Sequence, residues 1–152
     1  MEGQKHSYSW TRDIPIEVAQ QIADKFSQQY HVIQITRPDG YELKNVERID
    51  MKMSNIELFS LLVASKKRVL IDSSLQHASA ALKIKSTVLW VGTSPKVFGY
   101  KLHNNIEANL PKRANQLIGS YTFDYQFENN LHECPYMNVG EIFDIKSILN
   151  KI

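Results

Sequence analysis

The stretch Arg68-Val-Leu-Ile-Asp72-Ser73-Ser74-Leu-Gln-His77-Ala-Ser-Ala-Ala-Leu82 runs from a short apolar strand straight into a helix of small residues. A helix start leaves backbone N–H groups without intrahelical partners and carries roughly half a positive charge, so an anion placed there meets donors and a favourable field together. The junction suits a phosphorylated ligand. Each residue also has an ordinary structural role. Ser73 or Ser74 fits an N-cap, Asp72 a loop-amide acceptor and His77 a solvated surface position, while Ala78, Ala80 and Ala81 let the helix sit close to a sheet.

Upstream, apolar residues at helical spacing predict a helix over Pro15–Gln29, with Pro near its first turn and Asp13 as its cap. A β-branched run over Val32–Thr36 reads as a strand that stops at the turn Arg37-Pro-Asp-Gly40. A brief strand at Val46–Ile49 follows. Ser54-Asn-Ile-Glu57 then has the form of a capping box opening a helix over Ile56–Ser65, with Leu58, Phe59, Leu61 and Leu62 facing inward. The Val69–Ile71 strand, the Leu75–Leu82 helix and a Thr87–Val91 strand ending at Gly92-Thr-Ser-Pro95 complete an alternating series. Alternation with strands apolar on both faces predicts an α/β fold: a parallel sheet covered by helices, with ligands at the carboxyl ends of the strands. Beyond Pro95 the pattern weakens to a loop over Phe98–Asn105, a strand over Leu117–Phe123 and a helix over Val139–Leu149.

The 152 residues suit a single domain, large enough to bury about two thirds of the unfolded chain's surface. Hydrophobic content of 43% and charged content of 22% are those of a globular chain, without repeats or low-complexity tracts. A net charge of +2 with dispersed basic residues disfavours nucleic acid as a partner. The lone Cys134 excludes an internal disulfide and suits a reducing cytoplasm. One His and one Cys do not complete a zinc shell, so His132, Cys134 and Tyr136 read as packing. The polar Met1–Ser7 segment lacks a signal-peptide core, and no run approaches the ~18 apolar residues of a membrane span. A soluble, cytoplasmic chain is expected, with peripheral membrane association through another part of a larger enzyme.

The order of elements, together with Lys52-Met53-Ser54 and Val69-Leu-Ile-Asp-Ser-Ser-Leu-Gln-His77 followed by Ala80-Ala-Leu82, resembles the C-terminal domain of GT-B glycosyltransferases. In particular it resembles glycosyltransferase family 9, the ADP-heptose:lipopolysaccharide heptosyltransferases. The resemblance covers roughly Trp10 to Ile106. It implies a Rossmann-like parallel sheet with helices on both faces, one half of a GT-B fold. The activity it implies is nucleotide-sugar donor binding in a transferase that moves a heptose or hexose onto a saccharide or lipid-linked acceptor during cell-envelope glycan synthesis.

In that family the motif strand, Asp-Thr-Gly, two residues, His holds the donor diphosphate; Asp72, Ser73, Ser74 and His77 fall on those positions, with Ser74 replacing the glycine and narrowing the room there. Met53 matches the position covering the adenine ring, Glu42 the acidic residue on the ribose hydroxyls, and Arg12, with Lys5 as substitute, the basic residue on the diphosphate. Thr93 and Ser94 match the small-residue loop lining the cleft. A core methionine, solvated cations and a plain turn are the ordinary alternatives for Met53, for Arg12 and Lys5, and for Gly92–Pro95. Charge left on a departing diphosphate needs positive groups, helix dipoles or a metal. None of the seven Asp residues has another Asp two positions away, so metal-independent stabilisation is expected, with no cofactor and an ADP-sugar or other nucleoside diphosphate sugar as donor. The catalytic base is expected on an N-terminal acceptor domain outside these residues, leaving this chain a donor-binding half that binds without turnover. The alternative, which Ser74 favours, is a non-catalytic α/β protein-interaction module that has lost nucleotide binding.

Overall fold

All four residues of one strand, Thr87–Trp90, are buried in the structure, a computed structural model that describes residues 12–109 and 142–152. This strand, β4, lies between β3 (Val69–Ile71) and β5 (Asn104–Glu107), both parallel to it, with Leu89 opposite Ile71 on one side and Ile106 on the other. Burial on both faces explains the uninterrupted apolar run Val88-Leu-Trp90. Alternate residues divide between the two faces. Leu89 and Val91 join a cluster with Val18 and Ile22 of α1 (Ile16–Phe26) and Ile148 of α5 (Ile145–Lys151), and Thr87 Oγ1 donates to the Lys151 carbonyl at 2.9 Å. On the opposite side, the Ser86 hydroxyl meets that of Ser79 in α3 (Ser74–Ala81) at 2.7 Å.

A second parallel sheet pairs β1 (Ile33–Thr36) with β2 (Glu47–Asp50), Ile33 opposite Glu47. The described residues thus form a mixed α/β fold with two small parallel sheets. This corrects the expectation of a single sheet, because β1 and β3 share no ladder. Helix α1 links the two sheets instead. Its apolar face enters the cluster beside β4, while Gln20 accepts from the Lys44 amide at 2.8 Å and Asp24 from the Asn45 side chain at 3.2 Å, holding the loop before β2.

Helix ends show how local chemistry sets each element. The α1 N-cap is Pro15, with no side-chain capping bond, which corrects the assignment to Asp13: the Pro15 carbonyl already accepts from Val18 and Ala19 at 3.0 Å. Helix α2 (Asn55–Ala64) opens on the expected capping box, the Ser54 hydroxyl and amide both donating to the Glu57 carboxylate and holding its pKa below the ordinary value. Leu58 and Leu62 are buried there, but Phe59 is 40% exposed, contrary to expectation. At the other end Arg68 donates to the Leu62 and Ser65 carbonyls, supplying cationic charge where the helix leaves acceptors.

The predicted Phe98–Asn105 loop is shorter at both ends, with residues 99–103 outside helix and strand. A short helix α4 (Pro95–Phe98) takes its first residue and β5 its last two. Helix α5 begins at Ile145, capped by Asp144, later than the predicted Val139. Lys5, the predicted Leu117–Phe123 strand and the His132, Cys134 and Tyr136 group lie outside the described residues. Among the described residues no helix is long and apolar enough to cross a membrane.

Candidate functional site

The β3–α3 junction follows from three local facts: β3 ends at Ile71, Ser73 stays extended, and α3 starts at Ser74. Ser73 is the N-cap, with φ −155° and ψ 174°, yet its hydroxyl makes no capping bond. The first-turn amides of α3 are therefore not covered by the side chain best placed to cover them. Ser74 is exposed at this opening.

Tertiary packing brings Arg12 to the junction from 60 positions upstream (72 − 12), its Nε 4.0 Å from Asp72 Oδ2. The Asp72 side chain is 11% exposed and that of Arg12 48% exposed. At this separation and exposure the pair adds little stability. It does set the Arg12 guanidinium beside the junction.

Parallel register carries β4 out at the same edge as β3, since Ile71 lies opposite Leu89. Thr93 and Ser94 follow β4 there. Ser94 accepts from the Lys96 amide at 3.3 Å as the α4 N-cap, whereas Thr93 Oγ1 is buried without a hydrogen-bond partner. Asp50 Oδ1, at the carboxyl end of β2, is likewise buried and unpartnered. A buried polar atom without a partner costs about 1–3 kcal/mol, and a ligand group can supply the missing bond.

His77, exposed in the first turns of α3, places Nδ1 2.9 Å from the Tyr100 hydroxyl. Met53 is half-buried between β2 and the Ser54 cap, the position from which a hydrophobic staple reaches the fourth helical residue, here Leu58. Glu42 lies in the connection between β1 and β2. Its carboxylate pairs with Arg48, the second residue of β2, and the flanking Tyr41 carbonyl and Leu43 amide bond to Gln34, the second residue of β1. Arg48 also donates to the Arg37 and Pro38 carbonyls at 3.1 and 2.9 Å, just past the carboxyl end of β1.

Sequence reasoning missed the residues behind His77. Gln76 is fully buried and donates to the Phe98 carbonyl at 3.1 Å, and His103, 6% exposed, places Nε2 3.1 Å from the Gln76 carbonyl. A glutamine amid alanines and serines was the available signal. Among the described residues no group of three or more His, Cys, Asp or Glu side chains is placed to hold a metal ion. Comparison with protein-family models, with curated proteins and with solved structures found no match for the chain.

Proposed function

We propose that this chain is the donor-binding part of a GT-B glycosyltransferase, holding a nucleoside diphosphate sugar for transfer of a heptose or hexose to a saccharide or lipid-linked acceptor. The observation that carries this reading is the uncapped start of α3 at the carboxyl end of a parallel strand, with Arg12 drawn beside it by Asp72. Helix-start amides, the Arg12 guanidinium and the His77 ring are the groups that offset charge gathering on a departing diphosphate. The Ser73 and Ser74 hydroxyls and the unpartnered Thr93 hydroxyl add donors at the same edge. Met53 beyond the end of β2 is the group offered to the base. Under this reading the Rossmann-like sheet is completed within the larger enzyme, which also supplies the acceptor site and the base.

Thermal unfolding of the chain with ADP tests the reading. Ligand at a hundredfold excess over Kd adds about 2.7 kcal/mol of stability, enough to raise Tm by several degrees. Arg12→Ala is expected to weaken ADP about tenfold or more, the scale of one charge-assisted hydrogen bond. A folded sample that responds to no nucleoside diphosphate rejects donor binding. A second reading, a protein-interaction module, is favoured by the exposed stripe Ile56, Phe59 and Val63 on α2, which are 79%, 40% and 56% exposed at helical spacing. That reading predicts no nucleotide response at all.

A further inference from the structure

Cations that lie apart in the sequence come together at the amino-terminal rim of the β3–β5 sheet. Lys66, Lys67 and Arg68 lead into β3, Lys83 and Lys85 lead into β4, and the parallel pairing of Val69 with Thr87 sets those two segments side by side. Arg68 ties them together, its Nε and Nη2 each donating to the Lys85 carbonyl at 3.3 Å. Lys151 reaches the same rim from α5, because its carbonyl accepts from Thr87 Oγ1 at 2.9 Å and from the Asn104 side chain at 2.6 Å, at the first residues of β4 and β5. Lys67 Nζ donates to the next carbonyl along, that of Ile152, at 2.6 Å.

Acids are scarce in the same stretch of chain. Between Glu57 and Glu107 the single acidic residue is Asp72, and it follows β3 at the opposite, carboxyl edge. Lys66, Lys83, Lys85 and Lys151 are exposed, and among the described residues none of them is in an ion pair. Adjacent strands lie about 4.8 Å apart and the Debye length at physiological salt is about 8 Å, so charges on neighbouring segments reinforce one another. Apolar side chains stand among them. Leu82, 44% exposed, directly precedes Lys83, and Val63, 56% exposed, lies in the last turn of α2 just before Lys66 and Lys67.

We propose that this rim docks on an anionic lipid surface, its lysine ammonium groups against headgroup phosphates, with Leu82 and Val63 entering the boundary between headgroups and acyl chains. A nucleic-acid backbone offers the same phosphate charge but no apolar layer to receive those side chains, so they favour lipid. The docked rim leaves the α3 start uncovered, since that start lies across the sheet at the carboxyl edge. Lipid docking is therefore independent of the nucleotide reading.

Sedimentation of the full chain with vesicles tests it. Binding is expected to vesicles of phosphatidylcholine and phosphatidylglycerol in equal parts, weakening as salt rises, and is expected to be absent with phosphatidylcholine alone. Lys66→Gln combined with Lys85→Gln should weaken binding about twentyfold, on the scale of about fivefold for each lysine at an anionic leaflet. Lys96→Gln combined with Lys146→Gln removes the same charge at the carboxyl edge, where α4 and α5 begin, and should change binding by less than about twofold. Equal binding to both kinds of vesicle, or equal weakening by the two double variants, overturns the proposal. A chain that binds mixed-sequence duplex DNA or RNA more tightly than the anionic vesicles, through the same lysines, assigns the rim to nucleic acid and overturns lipid docking. Vesicle binding by a chain that does not respond to ADP upholds lipid docking and rejects the donor reading alone.

Discussion

The Tyr41 hydroxyl donates to the Ile14 carbonyl at 3.0 Å, tying the loop before β2 to the segment that enters α1. Burial, and secondarily the Asp13 carboxylate, push its pKa up to about 12 from an ordinary 10.0. The folded chain therefore holds this proton more tightly than the unfolded chain does. Its contribution to stability is complete below pH 10.0 and is lost as pH rises toward about 12. Urea unfolding across that window should show stability falling with pH, and Tyr41→Phe should flatten the fall. An identical slope in the variant would show that other groups cause it. Nothing in the run Pro38-Asp-Gly-Tyr41 announces this bond, because its acceptor lies 27 positions away. The same holds for Glu42, to which the family resemblance assigns the ribose hydroxyls and whose carboxylate pairs with Arg48.

At the scale of elements, α3 ends on a doubly bonded motif. The Lys83 amide donates to the Ala80 carbonyl at 3.0 Å and the Ile84 amide to Ser79 at 2.9 Å, with Lys83 at φ 57° in the left-handed region. A lysine there bears a steric cost that glycine does not. Lys83→Gly should raise stability by about 1 kcal/mol in chemical unfolding, and Lys83→Ala should not. The absence of glycine is why the helix end was read from periodicity alone, one residue late. The α2 start was legible because Ser54 and Glu57 act within one turn. Strand β5 was not, because its first two residues are polar. Asn104 donates to the Lys151 carbonyl at 2.6 Å, and Asn105 accepts the Trp90 indole N–H at 2.9 Å while donating to the Tyr100 carbonyl at 2.9 Å. Those amides serve distant partners, so a strand presents itself as a loop.

Across the whole molecule, α5 docks against α1 and the β3–β5 sheet, fully burying Ile148 among Val18, Ile22, Leu89 and Ile106. Removing most of that side chain leaves a cavity at the meeting point of elements from both ends of the chain. Ile148→Ala should cost about 2–5 kcal/mol, read as a lower urea midpoint with an unchanged slope. A loss under about 1 kcal/mol would mean the cluster closes over the gap. The sequence by itself determined which segments are helix and strand between Pro15 and Val91, the parallel pairing that short apolar strands alternating with helices require, and the strand-to-helix junction at Asp72. These depend on periodicity and capping, which act between residues a few positions apart. Only the tertiary structure decided that the strands form two sheets, that Arg12 reaches Asp72, that Glu42 turns to Arg48 and that Tyr100 stands against His77. Each of these joins segments whose meeting depends on how buried faces pack together, a property no local stretch of residues carries.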